Sequence, residues 1–131
     1  MTKAHIREKD VKEGVKRVLN KHGWFWWMPP ANAFGRSGIS DMHALKAGIF
    51  LAIEVKRGKA RPTQMQQGFL VSVQSEGGIP LVINEDRLPT LDIFLTAFES
   101  ATQRTRAGAP EDADEAALIL NCLRQLQWEV A

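Results

Sequence analysis

Apolar side chains at Ile6, Val11, Val15, Val18 and Leu19 recur at helical spacing, with charges on the opposite face. Gly23 supplies a stop, so HIREKDVKEGVKRVLNKHG is predicted to form a helix. WFWWMPP follows as a short aromatic strand ended by Pro29-Pro30, and ANAFGRSG is a turn-rich, partly basic loop. Residues 39–45 and 49–57 read as strands joined by a tight turn at Lys46-Ala47-Gly48. After the loop GKARP, Thr63 has the character of an N-cap for a helix that Gly77-Gly78 closes. IPLVIN is continuously apolar, as a strand covered on both faces would be. PTLDIFLTAFESA predicts a helix with Leu91, Phe94, Leu95 and Phe98 on one face, and TQRTRAGAPED a linker. The chain ends in an amphipathic helix, EDADEAALILNCLRQLQWEV, with acids in its first turn where the helix dipole favours them.

The order is α-β-β-β-α-β-α plus a C-terminal helix. A hairpin-rich sheet whose last strand follows a crossover helix is a mixed α/β sheet flanked by helices. With 131 residues the chain is expected to be one domain with a single core. Residues 1–106 form the body, and residues 107–131 a linker and helix available for packing or dimerisation.

Composition narrows the classes. No apolar run reaches the ~20 residues of a membrane helix, and no secretory leader is visible, so a cytoplasmic, membrane-free setting is expected. The lone Cys122 forms no internal disulfide and no cysteine zinc cage, and its helical neighbours make it a small core residue. Residues 1–106 carry 16 of the 17 Lys and Arg against 10 acids, whereas residues 107–131 carry one against five. A basic body with an acidic tail suits a polyanionic partner.

The chemistry concentrates in GISDMHALKAGIFLAIEVKRG, where Asp41, Glu54 and Lys56 fall in predicted strands. Alternation sends Ile53 and Val55 to the core and Glu54 with Lys56 to the other face. If the hairpin turns on Ala47-Gly48, Asp41 lies directly opposite Glu54, with Cβ atoms about 5 Å apart. Carboxylates that close repel, or one takes a proton. A hard divalent cation, Mg²⁺ or Mn²⁺, resolves the conflict, and Lys56 can offset charge on a phosphate. The plainer outcome for an E-x-K strand is a salt bridge on a solvated face. A third acid is available on the first helix. Glu8 lies within about 60° of Val11 and about 20° of Val15, on the apolar side, whereas Glu13 sits among Lys9, Lys12 and Lys16 as a solvated acid. Lys12 and Lys16 are expected only to solvate their helix.

These residues resemble the VRR-NUC nuclease family, within the restriction-endonuclease-like PD-(D/E)xK class. The likeness runs from Glu8 to about Ile83. It comprises an acid opening the first helix, GISD with Asp41, a glycine-turned hairpin, IEVKRG with Glu54 and Lys56, and PTQMQQGFL leading to EGGIPLVI. The resemblance implies a restriction-endonuclease-like mixed sheet and a metal-dependent DNA endonuclease. Standalone members, typically from phages or bacteria, act on branched or four-way junction DNA, some as homodimers. It further implies that Glu8, Asp41, Glu54 and the Val55 carbonyl hold Mg²⁺ or Mn²⁺, that Lys56 is the catalytic lysine, and that Gln66 stands close by. Two positions depart from the family. Ser40 replaces the usual proline, and Lys12 stands where the family has a glutamine. A catalytically silent DNA-binding or assembly module, or a ribonuclease, are the alternatives.

Arg36, Arg57, Lys59 and Arg61 are candidate phosphate contacts flanking the site. Trp24, Trp26 and Trp27 could stack on bases, but core packing suits most of them, with one that could be exposed at an interface. His43, two beyond Asp41, is a candidate supporting group or a surface histidine. The C-terminal Leu118, Leu120, Leu123, Leu126 and Trp128 need cover, from the same chain or from a second copy; a two-fold dimer would match the symmetry of a junction.

Overall fold

A computed structural model describes residues 5–30 and 38–130. The chain runs α1 (Glu8–Lys21), β1 (Phe25–Trp27), β2 (Met42–Lys46), β3 (Ile49–Val55), α2 (Gln64–Ser75), β4 (Ile79–Ile83), a 3-10 turn at Glu85–Arg87, α3 (Leu88–Arg106) and α4 (Ala113–Leu126). It is a mixed α/β fold: four strands in the order β1-β2-β3-β4, with four helices.

The β2–β3 hairpin has the anticipated register. Met42 pairs Ile53, His43 pairs Ala52 and Lys46 pairs Ile49. The turn places Ala47 at φ 53° and Gly48 at φ 82°, the double left-handed geometry whose twist matches flanking antiparallel strands. Arg106 from the end of α3 donates to the Ala47 carbonyl at 2.7 Å, holding the turn. β1 adds to β2 antiparallel, and β4 adds to β3 in parallel, which requires the crossover that α2 provides.

Alternation in β3 divides the core. Leu51, Ile53 and Val55 face a main cluster with Val11, Val15 and Leu19 of α1, Leu91, Phe94 and Leu95 of α3, and Cys122 and Leu126 of α4. Ala52 faces a smaller cluster with Leu70 of α2 and Val82, joined at its margin by Phe50, Phe69, Val73, Trp128 and Val130. β4 is buried from Pro80 to Ile83, as its unbroken apolar run required.

The C-terminal helix packs on its own chain. Beyond it, Gln127 donates to the Pro80 carbonyl at 3.0 Å and the Trp128 indole to the Val82 carbonyl at 3.1 Å. These bonds satisfy acceptors on the outer edge of β4, which would otherwise template pairing with another chain. Arg87 lies 4.5 Å over the Trp128 ring and donates to the Gln125 carbonyl at 2.9 Å.

Several boundaries differ from expectation. Asp41 and Lys56 lie just outside their strands. The third helix continues through TQRTR to Arg106, leaving a linker of residues 107–112. Thr102 and Thr105 return their hydroxyls to the Phe98 and Ala101 carbonyls at 2.8 and 3.0 Å, so these residues do not interrupt the helix. No described helix is long and apolar enough to cross a membrane.

Candidate active site

The register of the hairpin brings the two central acids together. Asp41 immediately precedes β2 and Glu54 is the penultimate residue of β3, so the pairing that joins Met42 to Ile53 carries Asp41 to Glu54. Asp41 is fixed by the neighbouring strand: its Oδ2 accepts from the Val55 amide at 2.8 Å. Gly38 sets the approach, since at φ 78° its α-carbon lies so close to α2 that a β-carbon would stand 2.5 Å from the Met65 carbonyl oxygen. Only glycine lets the chain pass there.

Glu54 is only 1% exposed. The solvated sheet face of the plainer reading does not exist at this position. Lys56 Nζ stands 3.8 Å from Glu54 Oε1, with its side chain 13% exposed. Glu54 Oε2 is buried with no hydrogen-bond partner among the described residues. Burial, followed by the Asp41 carboxylate within hydrogen-bonding reach, pushes the Glu54 carboxyl from its ordinary 4.5 up to about 9, against the opposing pull of Lys56. At neutral pH the protonated form of Glu54 is therefore favoured.

Glu8 opens α1, half exposed rather than turned fully into the core. Between it and the sheet stands a residue that sequence reasoning assigned to solvent. Lys12 Nζ lies 3.8 Å from Glu8 Oε1 and 3.6 Å from Asp41 Oδ1. The contact with Glu8 follows from i,i+4 spacing; that with Asp41 is tertiary, and no local pattern announces it. Lys16 instead pairs with Glu13 at 2.9 Å and lies 5.7 Å over the Trp26 ring. Glu13 is exposed on that outer face.

Residues Glu8, Asp41, Glu54 and Lys56 thus occupy one end of the sheet, with Lys12 among them. Among the described residues, no three acids, histidines or cysteines already stand close enough to grip a metal ion as a set. The donor chemistry nonetheless fits a hard cation. Asp41 and Glu54 offer oxygens from adjoining strand ends, and Glu54 Oε2 is buried without a hydrogen-bond partner among the described residues. Val55, last in β3, is the neighbour whose carbonyl the resemblance adds to the set. Lys12 stands between Glu8 and Asp41.

The other candidates disperse. Gln66 is occupied in a capping box: its Oε1 accepts from the Thr63 amide at 2.8 Å while Thr63 Oγ1 accepts from the Gln66 amide at 3.2 Å. Arg57 turns to the N-terminal segment, with Nη1 2.9 Å from His5 Nε2 and 3.5 Å from the Ile6 carbonyl, and so braces the entry to α1. Arg61 is paired with Glu129 at 3.2 Å but largely exposed, and Lys59 is exposed. Arg36 lies outside the described residues.

Two further residues hold the basic loop after Lys56. Glu85 accepts the Gly58 amide with both carboxylate oxygens at 2.9 and 3.0 Å, and Asn84 donates to the Gly58 carbonyl at 2.8 Å. Sequence reasoning missed both, because they sit at the end of a different strand, β4. His43 is half-buried among aromatic rings. It stacks on Phe69 at 5.8 Å and contacts Trp27 and Phe50, and burial lowers its pKa. Trp24 is buried in the main core, and Trp26 bonds Asn20 Oδ1 at 2.8 Å.

A cavity of about 560 Å³ between α3 and α4 is lined by Arg104, Asp112, Glu115, Ile119 and Leu120 among others, and by none of the candidate site residues. No protein-family model matches the chain, and no curated protein matches it.

Proposed function

We propose that this protein is a Mg²⁺- or Mn²⁺-dependent DNA endonuclease with a restriction-endonuclease-like core of the VRR-NUC kind, acting on branched or four-way junction DNA. The observation that carries the reading is the buried Glu54 carboxyl, with one oxygen unpaired among the described residues, between Asp41 and Lys56 at adjoining strand ends. An E-x-K motif that merely decorated a sheet would leave its acid solvated.

Asp41, Glu54 and the Val55 carbonyl would hold the cation, with Glu8 completing the set. When bound, the cation supplies Lewis-acid stabilisation of phosphate charge and lowers the pKa of an attacking water. The chain's own residues do the rest. The Val55 amide fixes the Asp41 carboxylate, so one ligand needs no reorganisation. Lys56 reaches solvent beside Glu54 and donates to a non-bridging phosphate oxygen, offsetting charge as water adds to phosphorus and the bond to the departing sugar oxygen breaks. Lys59 and Arg61, on the loop that Asn84 and Glu85 clamp, hold flanking phosphates; Arg61 exchanges Glu129 for a phosphate to do so. The exposed Ile93 of α3 and Leu118 of α4, which line one groove, offer the face for a two-fold dimer matching a junction.

One observation favours a second reading. Lys12 already supplies a positive charge to Glu8 and Asp41, as a silent DNA-binding module on this fold would permit. The test is cleavage of supercoiled plasmid and of a four-way junction with and without Mn²⁺. Metal-dependent cutting that is lost in Glu54→Ala and Lys56→Ala supports the endonuclease. Binding without cutting under any metal supports the module, and preferential competition by RNA marks a ribonuclease.

A further inference from the structure

Lys12 is held by charge and not by directed bonds. Its Nζ lies 3.8 Å from Glu8 Oε1 and 3.6 Å from Asp41 Oδ1, both beyond the roughly 2.9 Å of a charged hydrogen bond. An ammonium on a four-carbon stem is a compact point charge free to change position, unlike the planar fork of an arginine. It reaches from α1 to the start of β2, between the two acids that the Proposed function assigns to one cation. Next to Asp41 in the hairpin register, Glu54 Oε2 is buried with no hydrogen-bond partner among the described residues. Lys12 therefore supplies positive charge to two of the three acids, and the third is left with an unpaired oxygen.

From this placement we infer that Lys12 is a tethered competitor for the divalent ion: its ammonium takes the place between Glu8 and Asp41 in the metal-free protein and must leave when the ion binds. The inference rests on the metal-dependent reading above and deepens it. Three consequences separate this role from that of a lysine that covers a helix. Removing the ammonium raises affinity for the ion. It lowers the stability of the metal-free protein, because Glu8 and Asp41 lose their neutralising partner. It enlarges the stabilisation that a saturating ion confers, since the ion then replaces nothing. A lysine that only solvated α1 would move none of these.

The experiment is Mn²⁺ titration of the full chain, followed by the electron paramagnetic resonance signal of free Mn²⁺, with thermal melts with and without the ion. Lys12→Gln is expected to bind Mn²⁺ at least about tenfold more tightly than the wild type, to melt lower without metal, and to gain more on saturation. Lys12→Met, which keeps an apolar stem, gives the same answer if the glutamine variant is poorly folded, and Lys12→Arg should bind no more tightly than the wild type. Equal affinity in wild type and Lys12→Gln, with binding abolished in both by Asp41→Asn, overturns the competition and leaves the metal site standing. Weaker binding in Lys12→Gln and Lys12→Met overturns it as well. If neither wild type nor variant binds Mn²⁺ at millimolar concentration, the metal-site reading itself fails and the inference falls with it.

Discussion

Replacing Glu54 with glutamine should stabilise the metal-free protein, and by more as the pH rises. In the folded chain the Glu54 carboxyl holds its proton up to about 9, whereas in the unfolded chain it loses it near its ordinary 4.5. Between those values the unfolded state binds fewer protons than the folded state, so stability falls with increasing pH. Below the lower value the penalty is absent, and above the upper value it is complete. Each unit corresponds to about 1.4 kcal/mol, so raising the pH from about 5 to about 8 costs the wild type at most about 4 kcal/mol at this one group. Glutamine is always neutral and has nearly the same shape. Glu54→Gln therefore escapes the loss. Urea unfolding in excess chelator, followed by tryptophan fluorescence at several pH values, measures it directly. The stability gap should be small near pH 5 and widen steadily towards pH 8. A gap that stays constant with pH, or a variant less stable than the wild type at pH 8, would show that Glu54 is ionised in the fold and refute its raised pKa.

Other outcomes follow from the same geometry. Divalent-ion affinity should rise with pH, by up to about tenfold per unit below about 9, because the ion must expel the Glu54 proton; calorimetry in buffers of differing ionisation enthalpy would register the released proton. Gly38→Ala, which meets the Met65 carbonyl oxygen at 2.5 Å from a left-handed backbone, should cost about 1–3 kcal/mol in urea unfolding and slow cleavage by displacing Asp41. Trp128→Ala removes ring packing and the donor to Val82, and should cost about 2–4 kcal/mol while promoting association through the uncovered β4 edge, read by light scattering. Arg61→Ala should flatten the salt dependence of DNA affinity by about one unit of slope, since one fewer phosphate is neutralised.

The parts of this fold that local chemistry dictates were legible from residues alone. Ala47-Gly48 can form only a tight hairpin turn with matching twist, and that turn fixes every pair in β2 and β3, Asp41 and Glu54 included. The face on which Glu54 lies was also readable from alternation; its burial was not, because that depends on what packs against the sheet from elsewhere in the chain. The same limit hides Lys12, whose i,i+4 partner Glu8 is visible in sequence while Asp41, across a loop and a strand, is not. Gln66 shows the converse. The spacing Thr63-x-x-Gln66 is itself a capping-box pattern, so the local signal was present and pointed to the end of α2 instead of the acids. Asn84 and Glu85 reach the basic loop only because β4 runs parallel beside β3 and ends at the same edge of the sheet.

Glu54 and Lys12 are two answers to one electrostatic problem. Three carboxylates drawn to one end of a sheet cannot all stay charged beside one another without positive company. In the metal-free molecule Lys56 stands against Glu54, Lys12 stands between Glu8 and Asp41, and a proton sits on the buried acid. Two of these three, the proton and the Lys12 ammonium, would compete with a divalent ion, whereas Lys56, 3.8 Å from Glu54 Oε1, could remain. Ion binding would therefore be an exchange: one divalent charge enters as a proton and a tethered ammonium leave, so the total positive charge among the acids is conserved. An exchange of equal charge gains little from Coulomb attraction alone. Its driving force must come from coordination geometry and from the bonds that a phosphate makes to the freed ammonium and to the ion together. On this argument an ion would bind weakly to the protein alone and much more tightly with a nucleic-acid phosphate present, and Lys12→Gln should narrow that difference by removing the ammonium from both sides of the exchange.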